Sequence, residues 1–294
     1  MIVLQGLTKE FSNGHGIFDL SFTVSEGEVF GYLGPNGAGK STTIRHLMGF
    51  LRPDSGIAQI NDLECWTHAA KVQEQLGYLP GEIGFLDGMN GLEFLNLLAG
   101  IRKLRSLARR NELIDRFELD AKMPIRKMSK GMKQKVGIVA AFMHQPQVLL
   151  LDEPTSGLDP LMQQRFLELI EEEKSQGATI LMSSHMFPEV ERVCDRVGII
   201  RDGKLIAVQD VKSLRQVQRK VFTVGIGDEN DEAKIANAGW HIVGRRNNEV
   251  DIEVKGNYNE FIKVLAHCNI RALDIHQLNL EEIFMHFYGT GEEH

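Results

Sequence analysis

Gly34-Pro35-Asn36-Gly37-Ala38-Gly39-Lys40-Ser41-Thr42 is the stretch on which the reading of this chain turns. It satisfies G-x-x-x-x-G-K-[ST], and the fixed positions each have a physical purpose. Glycine carries no Cβ, so successive backbone N–H groups can turn inward and form a concave anion site. Lys40 supplies a compact charge for β- and γ-phosphate oxygens, and the Ser41 hydroxyl suits Mg²⁺. A helix starting near Lys40 aims its positive end at the same phosphates. The flanks agree, since Glu28–Leu33 reads as a buried apolar strand and Thr42–Met48 has the apolar spacing of a helix. A strand–loop–helix unit that binds a nucleoside triphosphate is predicted.

A second stretch extends this site. Val148-Leu149-Leu150-Leu151-Asp152-Glu153 is an apolar strand ending in two carboxylates. Parallel strands deliver functional residues at their carboxyl ends, where the phosphate loop also opens. Asp152 is placed to hold Mg²⁺ through its water shell, because Mg²⁺ takes few carboxylates and keeps most of its waters. Glu153 points elsewhere and can accept a proton from an attacking water.

Composition bounds the rest. The 294 residues permit one large domain or two ordinary ones, and 43% hydrophobic with 25% charged residues is a globular balance. A net charge of −7 gives no general reason to expect nucleic acid. Three scattered cysteines, Cys65, Cys194 and Cys268, argue against a disulfide scaffold. The first residues lack a basic segment followed by an apolar one, and no apolar run approaches the ~20 residues of a spanning helix.

Residues 1–33 alternate apolar and polar positions and read as antiparallel strands. Helical periodicity dominates from about Asn90 to Met143, an insertion in an α/β core. Strands resume at Val148–Leu151 and Thr179–Met182, on either side of the amphipathic helix Leu161–Lys174, which implies a parallel sheet covered on both faces. Beyond Val211–Arg219 the order becomes βαββαβ, a ferredoxin-like arrangement. There the strand pair is joined by Asn247-Asn248, and Asn279 with Glu282 caps a last helix, Leu280–Tyr288. The expected domains are 1–215, with a helical part near 90–143, and 220–294.

With these motifs in hand, the chain resembles the ATP-binding subunit of an ABC transporter, of the multidrug and antimicrobial-peptide exporter kind. Five motifs carry the likeness: the phosphate loop, Met128–Gln134, Asp152-Glu153, Ser156-Gly157-Leu158-Asp159 and Ser183-Ser184-His185. They follow the family's order and cover roughly residues 1–210. The implied fold is an α/β P-loop NTPase cassette with a mixed core sheet, an antiparallel part and a helical insertion, followed by the small α+β domain.

The resemblance also implies roles. Ser129-Lys130-Gly131 corresponds to the family's signature motif, in a degenerate form, and would meet the γ-phosphate of ATP held by a second copy packed head to tail. Glu153 and His185 would be catalytic, with His185 on the γ-phosphate and the attacking water. Asp159 would lie at the dimer interface, and Phe11, rather than Phe18, would stack on adenine. The family's usual Mg²⁺-linked Gln falls on Gly81, which leaves Glu82 as the substitute. Ile83–Met89 reads as a docking groove for a short helix of a transmembrane permease partner. The basic run Arg102, Lys103, Arg105, Arg109 and Arg110 reads as a solvated helix face. The implied cofactors are ATP and Mg²⁺, and the implied place is the cytoplasmic side of the cell membrane. An ATPase driving export is expected; the alternatives are a soluble ABC ATPase without a membrane partner and a P-loop kinase or GTPase.

Overall fold

Five consecutive buried residues make β3 (Val29–Leu33) the centre of the architecture. The strand is apolar throughout because both of its faces are covered. A computed structural model describes residues 1–277 except 13, 87, 214–219, 247–248 and 255–257. The Asn247-Asn248 turn and the expected helix Leu280–Tyr288 lie outside the described residues.

The chain divides into two compact units, Met1–Val211 and Lys212–His294. The first unit opens with β1 (Ile2–Glu10) and β2 (Gly16–Val24), then β3, α1 (Lys40–Leu47), β4 (Ser55–Ile60), β5 (Leu63–Glu64), α2 (Ala69–Gln75) and β6 (Leu76–Leu79). The insertion follows as α3 (Gly91–Ile101), α4 (Ala108–Arg116) and α5 (Lys130–Phe142). The core resumes with β7 (Val148–Asp152), α6 (Pro160–Ser175), β8 (Thr179–Ser184), α7 (Phe187–Val193), β9 (Arg196–Arg201) and β10 (Lys204–Asp210).

Two sheets result. One is antiparallel, in the order β2-β1-β4-β5, and the other runs β10-β9-β3-β8-β7-β6. In the second sheet β3 lies parallel to β8 and β9, and β7 parallel to β8 and β6, while β10 returns antiparallel along β9. Leu4 and Leu7 of β1, Ile44 and Leu47 of α1, and Leu150 and Leu181 of the parallel strands share one apolar cluster. Burial of both faces thus fixes α1, and with it the loop before it, against the carboxyl ends of β3, β7 and β8.

The second unit is β11 (Lys220–Ile226), α8 (Glu229–Asn237), β12 (His241–Arg246), β13 (Glu249–Val254), α9 (Tyr258–Leu265) and β14 (Ile270–Gln277). Its sheet order, β12-β13-β11-β14, with every pairing antiparallel, is that of the ferredoxin-like split βαβ. Phe261 anchors its core, its ring 4.8 Å from that of Phe222 and 5.2 Å from that of Trp240.

One expectation is corrected in the insertion. The basic run is not a solvated face. Arg110 is buried, and Arg102 donates to the Leu76 carbonyl at 2.8 Å. Arg109 reaches across to α6, donating to Glu173 at 2.5 Å and pairing with Glu172 at 2.9 Å and Glu112 at 2.6 Å. Of the five, Lys103 and Arg105 are exposed. Burial alone would lower the Arg109 guanidinium, but hydrogen bonds to Glu112 and Glu173 and the charge on Glu172 hold it above its ordinary value. The helical spacing was legible, and Glu112 lies on the same helix, whereas Glu172 and Glu173 come from a helix more than fifty residues away in sequence.

The network yields a stability prediction. Removing one partner of a buried ion pair strands the other charge, at a cost of about 3–5 kcal/mol. Arg109→Ala should lower the unfolding free energy of the first unit by about that much in urea titrations. The exposed Arg105→Ala should stay within about 0.5 kcal/mol of the native chain.

Candidate nucleotide site

The loop between β3 and α1 takes the conformation that its glycines permit. Gly37 and Gly39 have φ of 83° and 109°, where side chains other than glycine are strained. Gly39 also occupies the N-cap of α1 and offers no side-chain cap, so the first-turn N–H groups are not taken by a capping side chain. Lys40 is only 5% exposed. Its Nζ donates to the carbonyls of Gly34 at 2.7 Å and Pro35 at 3.1 Å and lies 3.6 Å from Glu153 Oε1. Ser41 is exposed beside it.

The carboxylate pair sits at the end of β7. Asp152 is buried and is the register partner of Ser183 in β8. The Ser183 hydroxyl donates to Asp152 Oδ1 at 2.5 Å and accepts the Glu153 N–H at 3.0 Å. Glu153 has a left-handed backbone, φ 47°, which turns the chain out of the strand. Its carboxylate lies between Lys40 and His185, with Lys40 Nζ 3.6 Å from Oε1 and His185 Nδ1 3.6 Å from Oε2. Three of the sequence candidates are therefore brought together: Lys40, Glu153 and His185.

The signature residues are placed on a different element. Ser129 is the N-cap of α5 and accepts from the Met132 N–H at 3.2 Å. Lys130 Nζ donates to Ser156 Oγ at 2.9 Å. A Cβ on Gly131 would stand 2.5 Å from the Gly157 carbonyl, so glycine lets the two segments touch. Asp159 has a local duty as well: it caps α6, accepting from Met162 N–H at 3.0 Å, with Pro160 in the first turn. Phe11, just past β1, is 38% exposed, whereas Phe18 is half-buried in β2.

The residues fit a hydrated Mg²⁺. They offer one buried carboxylate, Asp152, and one exposed hydroxyl, Ser41, a donor set suited to a cation that keeps its waters. Gly81, not Glu82, faces this carboxylate, since a Cβ at Gly81 would stand 3.4 Å from Asp152 Oδ2. Glu82 is exposed at the next position. The following segment lines a groove of about 760 Å³, with Ile83, Phe85, Leu86 and Ile125 giving apolar surface and Arg126 and Lys133 positive charge.

Sequence reasoning missed the polar support around these groups. The expected strand Thr179–Met182 continues through Ser183 and Ser184, both buried. Ser184 Oγ donates to the buried Glu189 at 3.1 Å and accepts from the Met186 N–H at 2.9 Å. The Thr155 side chain bonds the same carboxyl from the loop after Glu153. The two adjacent serines at the end of an apolar strand were the available signal. Their partners depend on tertiary register and could not be read.

Comparison with known proteins decides the family. The linearmycin resistance ATP-binding protein LnrL of Bacillus subtilis is 31% identical, over 98% of this chain and 98% of its own. The chain belongs to the ATP-binding proteins of ABC transporters. A family model described as ABC transporter matches residues 17–156. The bacitracin transport ATP-binding protein BcrA of Bacillus licheniformis is 35% identical over 78% of this chain and 76% of its own. Among solved structures, an ATP-binding subunit of an ABC transporter superposes with a TM-score of 0.68 at 33% identity, covering 74% of this chain and 92% of that one. The protein is thus an ABC ATPase cassette that binds ATP. Among the described residues no helix is long and apolar enough to cross a membrane.

Glu189 gives a pH test of the buried support. Burial pushes its carboxyl above the ordinary carboxylate range, against hydrogen bonds from Thr155 and Ser184. A carboxyl raised on folding stabilises most below its unfolded value and loses that contribution as pH rises through the raised one. Glu189→Gln keeps the shape without ionising, so it should gain stability relative to the native chain as the pH rises from about 4, below the ordinary glutamate value, to about 8. Thermal unfolding at both values measures this, and an unchanged difference would show that Glu189 does not titrate abnormally.

Proposed function

We propose that this ABC transporter ATPase powers the export of a substrate through a separate transmembrane permease. Two copies would pack head to tail, each ATP lying between the phosphate loop of one (Gly34–Thr42) and Ser129–Gly131 of the other. Lys40 draws in the β- and γ-phosphates, and Phe11 offers its exposed ring to adenine. Glu153 accepts a proton as water attacks the γ-phosphorus, and ADP leaves with the bridging oxygen. His185 holds the water and the γ-phosphate, and Asp159 would lie at the seam between copies. Ser41 and Asp152, with Glu82 as the remaining candidate carboxylate, would hold Mg²⁺, which would supply positive charge for the phosphate oxygens. Once the γ-phosphate is gone, the charge joining the copies is lost and they part.

The observation that carries this reading is the Glu153 carboxylate poised between Lys40 and His185 at the mouth of the phosphate loop. The groove beside Ile83 and Phe85 supports a short partner helix, and its apolar floor suits a permease segment. The protein would then work on the cytoplasmic side of the cell membrane. The resistance and bacitracin-transport names of its relatives favour an exported antimicrobial over a soluble role in translation or DNA maintenance.

Glu153→Gln tests the chemistry. It should bind ATP, accumulate as an ATP-bound dimer in size-exclusion chromatography and release phosphate at least 100-fold more slowly than the native protein, within the range general-base loss commands. Full turnover by this variant would remove Glu153 from the role of base.

A further inference from the structure

Ser183 does two things with one hydroxyl. Its proton goes to Asp152 Oδ1 at 2.5 Å, and its lone pair takes the Glu153 N–H at 3.0 Å. The side chain is fully buried, and β8 is held in register with β7 through the pair Asp152 and Ser183. A hydroxyl has one proton to give, so these two bonds give it a fixed orientation.

The acceptor side matters most. Glu153 adopts φ 47°, a left-handed conformation that is strained for a residue other than glycine. Such a conformation persists only when its surroundings over-determine it. At Glu153 the main chain has just left the sheet, and the hydrogen bond on its N–H comes from a side chain, not a strand backbone. The turn directs the carboxylate toward Lys40 on one side and His185 on the other. The neighbouring Ser184 serves the opposite face of the strand, bonding Glu189 and Met186, and does not reach Glu153.

We infer that Ser183 is a positioning residue for ATP hydrolysis, whose hydroxyl holds the Glu153 backbone in the strained turn that aims its carboxylate. Loss of the hydroxyl lets the turn relax toward ordinary backbone angles. The carboxylate then moves off its line while the phosphate loop, on another strand, is untouched. The inference rests on Glu153 being the base.

Steady-state ATPase kinetics of Ser183→Ala, Ser183→Thr, Glu153→Gln and the double variant Glu153→Gln/Ser183→Ala test it. Ser183→Ala should lower kcat at least tenfold with KM for ATP changed less than threefold, and Ser183→Thr, which keeps a hydroxyl, should recover most of the loss. In single-turnover measurements Ser183→Ala should cost little further in the Glu153→Gln background, because it acts through that side chain. Native kcat in Ser183→Ala, or the same fold-loss with and without Glu153, would overturn the inference. Full turnover by Glu153→Gln would instead overturn the base assignment, so the two failures are distinct. If Ser183→Ala does not fold, Ser183→Cys, a weak donor of similar size, should give an intermediate kcat, and native kcat there would likewise overturn the inference.

Discussion

A buried ammonium is the constraint on which the site depends. Lys40 is almost wholly enclosed, and an isolated charge there would be very costly. The loop resolves this by bending its own carbonyls, Gly34 and Pro35, onto the ammonium, with Glu153 supplying the negative charge. The carbonyls keep the cation in place without neutralising it, so its charge remains available to an arriving polyphosphate. The left-handed glycines are therefore more than room for a ligand, because they bring the loop backbone around its own lysine.

The same economy of polar groups extends along the carboxyl ends of β7 and β8. Asp152, Ser183, Ser184 and Glu189 are all buried, and each finds partners in its neighbours. Buried polar networks fix geometry because any departure leaves a group unsatisfied. Here the network spans the two strands that carry the catalytic candidates, so Glu153 and His185 stand on a rigid base although both side chains reach outward. An apolar strand end would have given more burial and less definition.

How much of this was legible in the sequence depends on range. The phosphate loop and the strand before Asp152 were readable, because their determinants lie within a few residues of one another. Ser129, expected to meet a phosphate, is also the N-cap of α5. Asp159, expected at an interface, has a local capping duty that Asp-Pro at a helix start announces and that the expectation omitted. Arg109 was misread because its helix shows only one of its partners, Glu112 at i+3, while the two glutamates that enclose it, Glu172 and Glu173, come from α6. Ser183 was passed over for the same reason: its meaning lies in the register between two parallel strands, which no local pattern fixes.

The segment 154–159 shows why the two halves of this chain's chemistry are not independent. It follows Glu153 and ends at the cap of α6, and along the way it is bound to α5. Gln134 donates to the Pro154 carbonyl at 2.8 Å, Lys130 to Ser156 at 2.9 Å, and Gly131 touches Gly157 directly. Thr155 meanwhile bonds Glu189, beyond His185. In a head-to-tail pair, Ser129–Gly131 of one copy would face the nucleotide whose base belongs to the other. An anion drawn to the start of α5 would then act, through three short contacts, on the loop that leaves its own chain's Glu153. Through these contacts the position of the signature residues Ser129–Gly131 is linked within one chain to the loop that follows Glu153.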